Sequence, residues 1–153
     1  MIKVHNLTES QINEDFIKKI ARNILKKEGS DRKMGLSIIL VRPWRIKELN
    51  KRYRKENRIT DVLSFGQGLN SPRLKFPSLP NGYFELGDVV ICLSQVKKNA
   101  RKFDLSFKKE LVLVLIHGIL HLLGYDHEKS DKEAREMRER EKQYLKQALN
   151  FKL

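Results

Sequence analysis

The 153-residue chain has a single cysteine, Cys92, so it cannot close an internal disulfide, and it fits a reducing compartment. Long hydrophobic runs are missing too. The longest uncharged stretch, 111–125, is too short to cross a bilayer and already holds two histidines. The opening MIKVHNLTES lacks the basic head and apolar stretch of a secretion signal, so a cytoplasmic setting without a membrane partner is expected. Proline is scarce, and three of the four prolines fall between Gly66 and Gly87 together with four glycines. That aperiodic stretch reads as a long loop, either a lid or binding loop or a plain connector.

Acidic residues are also in short supply. Nineteen Asp and Glu face 32 Lys and Arg, a net charge of +13. Such an excess favours a polyanionic partner, because phosphate contacts release condensed counterions; the alternative is charge kept for solubility. The excess is concentrated. Residues 42–58 hold eight basic and two acidic side chains, and residues 97–109 hold six and one. These two clusters form the expected nucleic-acid footprint, with Arg45, Arg52, Arg58, Lys97, Lys98 and Arg101 as its candidates. Residues 129–153 mix both signs and read as a solvated helix face.

What is present suggests one α+β domain over 1–153, a small mixed β-sheet packed with several helices. Residues 2–5 form a weak strand. Thr8 with Gln11 makes a capping-box pattern ahead of Ile12, Phe16, Ile20 and Ile24, a helix ending near Gly29. Residues 35–41 and 87–93 are buried strands, and 61–65 is a short one. Pro43 suits the first turn of a helix to about Arg54, and Ser94 suits the cap of a short basic helix. From Leu111 to Leu123 the chain is apolar on every side, a helix for the middle of the core that Gly124 stops. Ser130 and Glu133 form a second capping box, opening a helix to about Leu149.

That central helix carries HGILHLLGYDH, residues 117–127. His117 and His121, four apart, stand on one helical face and can reach the same ion at about 2.0–2.1 Å; after Gly124 the chain can return His127 as a third ligand. Three imidazoles leave one position open, as catalytic sites do, and a redox-silent all-imidazole site favours Zn2+ among divalent metals. The register is that of metzincin proteases, HExxHxxGxxH, with one absence: Gly118 stands where their general-base glutamate does. Peptidase chemistry is therefore disfavoured, whereas the uncompensated charge of such an ion suits a phosphodiester oxygen. His5 and Cys92 read as structural. Asp126 and Asp88 are candidates to orient a histidine or to pair with Arg54, and Asp126 can equally serve the turn.

HGILHLLGYDH resembles the signature of the YbeY family of bacterial endoribonucleases. LNKRYRKENRITDVLSF (49–65) is similar to that family's arginine-bearing segment and following strand, and LGDVVIC (86–92) to the strand leading into the metal helix; Gly66 and Gln67 stand where the family pattern has a proline. The resemblance implies a compact α+β fold with a metzincin-like metal helix and zinc on His117, His121 and His127. It implies a functional arginine at Arg54, which, with His117, would be catalytic. It also implies zinc-dependent cleavage of single-stranded RNA in small-subunit rRNA 3′-end maturation and ribosome quality control. Two alternatives stay open, a hydrolase of another substrate such as a peptide and a non-catalytic RNA- or ribosome-binding factor with a structural metal.

Overall fold

A computed structural model describes residues 1–29, 34–66 and 84–151. Four strands, β1 (Ile2–Asn6), β2 (Met34–Val41), β3 (Val62–Gly66) and β4 (Phe84–Cys92), form one mixed sheet in the order β1-β2-β4-β3. β1, β2 and β4 are parallel; β3 runs antiparallel on the edge, Ser64 opposite Val89. Among the described residues five helices complete the α+β fold: α1 (Glu14–Lys27), α2 (Pro43–Arg54), α3 (Leu93–Lys102), α4 (Phe107–Leu122) and α5 (Asp131–Ala148).

Side-chain alternation splits the core in two. Leu36, Ile38, Leu40, Val89 and Ile91 point from the sheet into the main core with α1, α4 and α5; Val41, Val90 and Cys92 point the other way, to Ile46 of α2. α4 therefore lies on the sheet under α1, α3 and α5. Its apolar surface all round is what a helix enclosed on nearly every side requires.

Most element boundaries agree with the sequence, and the exceptions have physical causes. α1 starts after Asn13, whose side chain accepts from the Phe16 amide at 3.1 Å, and not in the Thr8 capping box. Thr8 is already engaged, donating its amide and hydroxyl to Asn6 at 3.0 and 2.6 Å. α3 begins at Leu93, straight out of β4; Ser94 sits inside its first turn, with its hydroxyl 3.3 Å from the Cys92 sulfur. α4 begins four residues before the apolar run, because Ser106 caps it by accepting from Lys109. Of the expected 66–87 loop, Gly66 and residues 84–87 are strand; 67–83 lie outside the described residues.

Candidate metal centre

His117 and His121 project from the last two turns of α4. The Gly124 amide bonds the His121 carbonyl, and Gly124 then takes φ +92°, a left-handed conformation that reverses the chain at little cost for glycine. Asp126 accepts from the Glu128 amide at 2.8 Å, folding a tight turn that brings His127 back. The three ring centroids are 4.4, 5.6 and 5.4 Å apart, and one nitrogen from each ring lies within 4.8 Å of the others.

Donor chemistry fits a metal ion. The Nε2 atoms of His117 and His121 are 3.0 Å apart, close to the ~3.3 Å that two imidazoles span on a tetrahedral ion at 2.0–2.1 Å. Burial first, then the charges of His117 and His127, hold His121 down at about 4, so its ring is neutral at physiological pH, the form that ligates. His117 turns its other nitrogen, Nδ1, to Glu141 of α5, 3.2 Å away, leaving Nε2 to face its neighbour. Glu141 is thus a site residue that the charge pattern of 129–153 conceals. Its signal is positional: Met137, Tyr144 and Ala148 form the buried stripe of α5, and Glu141 sits within that register as an acid.

The histidines open into a cleft of about 850 Å3, lined also by Arg54, Thr60, Asp61, Ser64 and Glu110. Arg54 arrives as the last residue of α2, whose end is laid over β3 by an edge-to-face contact between Tyr53 and Phe65 at 5.2 Å. Its positive charge is among those that disfavour protonation of His121. Glu110, seven residues before His117 on α4, is 7% exposed; burial and then the nearby Asp61 raise its pKa above the ordinary carboxylate value.

Gly118 faces strands β3 and β4 of the sheet. A Cβ there would sit 2.7 Å from Val89 Cγ1 and within 3.3 Å of Val62 and Ser64, and the Ser64 hydroxyl donates to the Gly118 carbonyl at 2.9 Å. The helix and the edge strand touch at this point. The position is therefore closed to a glutamate side chain, a steric reason for the missing base that spacing alone does not reveal.

The remaining candidates separate. Lys97, Lys98 and Arg101 gather at a second depression beside α3. Arg45 is paired with Glu48 and Arg58 with Glu56, while the Arg52 guanidinium lies 5.6 Å from the Tyr53 ring; none of the three lines the histidine cleft. Asp126 serves the turn. Among the described residues Asp88 pairs with neither the motif histidines nor Arg54; its charged neighbours are Glu85 and His5. Cys92 is fully buried, and His5 lies on β1 away from the site.

A mixed sheet packed with helices, and three convergent imidazoles sharing one cleft with an arginine, define an α+β protein with a site compatible with a metal ion. The Endoribonuclease YbeY family model matches residues 3–149. The chain is 41% identical over 131 residues to the Endoribonuclease YbeY of Persephonella marina, covering 86% of this chain and 80% of that one. It is 40% identical over 138 residues to the Thermotoga maritima protein of the same name, covering 90% and 81%. The solution structure of a Thermotoga maritima protein superposes with a TM-score of 0.66 at 36% identity, over 97% of this chain and 89% of that one. The chain belongs to the YbeY endoribonuclease family.

Proposed function

We propose that the protein is a zinc-dependent endoribonuclease that hydrolyses phosphodiester bonds in single-stranded RNA, acting in small-subunit rRNA 3′-end maturation and ribosome quality control in the cytoplasm. The observation that carries this proposal is the convergence of His117, His121 and His127 with Arg54 in one cleft, on a chain whose relatives are named endoribonucleases. The net charge of +13 supports an RNA partner and the ribosome, and no described helix is long and apolar enough to cross a membrane.

His117, His121 and His127 would hold the ion; when bound, it supplies Lewis acidity toward water and phosphate. Glu141, 3.2 Å from His117 Nδ1, would hold the proton of that ring on Nδ1 and so direct Nε2 inward. Arg54 offers a planar fork that grips two phosphate oxygens and stabilises the charge gained in the transition state. Arg45, Arg52, Arg58, Lys97, Lys98 and Arg101 would follow the RNA backbone outside the cleft.

Arg54→Ala tests the enzymatic part of the proposal. Loss of a transition-state contact lowers the single-turnover rate by about 100–1,000-fold, with a much smaller change in RNA affinity. A fall in affinity without a separate rate defect would assign the protein to the RNA-binding factors instead.

A further inference from the structure

Cations of the 97–109 cluster gather beside Pro43 outside the histidine cleft. The start of α2, the 58–61 segment and α3 enclose a depression of about 400 Å3, apolar at Pro43 and Ile59 and cationic at Lys97, Lys98 and Arg101. None of the described residues that line it is acidic. Lys97 lies over the Phe107 ring at 5.7 Å, whereas Lys98 and Arg101 make no ion pair among the described residues. Ile59 is 41% exposed, and Trp44, next to Pro43, is 63% exposed.

The wall between this depression and the histidine cleft is short and rigid. Ile59 faces one side, and Thr60 and Asp61 line the other. Residues 59 and 61 are two steps apart, about 7 Å at most. Buried Asn50 donates to the Arg58 carbonyl at 3.0 Å, and the Cys92 amide bonds the Asp61 carbonyl at 2.9 Å, so both ends of the wall are tied to the fold.

Apolar surface flanked by unpaired cations matches a nucleotide, whose base seeks an apolar or aromatic face and whose phosphate seeks charge. Given the RNA-cleaving function proposed above, we infer that the depression seats one nucleotide of the single strand, its base against Pro43 and Ile59 and its phosphate on Lys98 and Arg101. Because the wall is fixed, the seated nucleotide sets where the strand crosses the histidines. The depression thereby selects the bond that is cut, a few nucleotides away.

The test uses the full chain and an end-labelled, unpaired oligoribonucleotide. Binding is read by fluorescence anisotropy in EDTA, then cut positions are read after metal is restored. Lys98→Glu with Arg101→Glu is compared with Arg22→Glu plus Lys26→Glu, exposed positions on α1 that carry the same charge change. The groove pair raises Kd at least tenfold more than the α1 pair, and the cut positions spread. Ile59→Ser, neutral and exposed, raises Kd without altering its salt dependence. Equal losses in the two charge pairs, unchanged cut positions, or wild-type binding of an oligo-aspartate peptide as tight as of RNA would each overturn the inference. If wild type binds RNA but cuts none, the cleavage proposal fails while the anisotropy comparison still decides the groove.

Discussion

Glu141 Oε1 lies 3.2 Å from His117 Nδ1, linking the last helix to the central one across 24 residues of chain. Carboxylate partners of this kind fix the tautomer of a ligating histidine and raise its basicity. Glu141→Ala is expected to weaken zinc affinity about 10–100-fold. Competition with a chromophoric chelator measures it; an unchanged affinity would show that His117 is oriented by other means.

Gly118 is required by packing. Val89, which an added methyl would meet at 2.7 Å, is fully buried and β-branched, with little room to yield. Gly118→Ala should destabilise the fold by about 1–3 kcal/mol, read by urea unfolding of the metal-free protein. An equal or raised stability would mean that α4 shifts off β3 freely.

Glu110 should make the fold less stable as pH rises. Its pKa lies above the ordinary 4.5, so between the two values the folded protein keeps a proton that the unfolded chain has released. Stability from this group is present at low pH and declines as pH rises through that window. Glu110→Gln is therefore expected to raise the urea midpoint at neutral pH, with the gain vanishing below about pH 4. A variant less stable than wild type at neutral pH would contradict this.

A third carboxylate, Glu28 at the end of α1, accepts from the hydroxyls of both Tyr125 and Tyr144. Tyr125 lies in the turn that delivers His127, so one acid joins α1, α5 and the ligand loop. Glu28→Ala leaves two phenols without that acceptor and should cost about 1–3 kcal/mol. Combined with Tyr144→Phe, its effect should be less than additive in urea unfolding. Strict additivity would refute the shared acceptor.

The helical spacing of the histidines, the Gly124 stop and the Ser130 cap are local signals, and each could be read from a few residues of sequence. Pro43 and the β-branched apolar runs likewise gave the α2 and sheet elements. Glu141 could not be recognised as a partner of His117, because contact between residues 117 and 141 depends on how α4 and α5 pack. The same holds for Gly118: its neighbour Val89 is twenty-nine positions away and is brought there by the sheet. Asp88 illustrates the converse, an acid on the motif's leading strand whose charged neighbours prove to be Glu85 and His5 and not the motif histidines.

The most direct measurement strips the protein with a chelator, restores zinc in graded amounts, and follows single-turnover cleavage of an unpaired RNA with metal content determined on the same samples. Cleavage should be lost on stripping and return in proportion to occupancy up to one ion per chain, and His121→Ala should neither retain that ion nor cut. Full-rate cleavage by the metal-free protein would contradict a catalytic role for the three histidines.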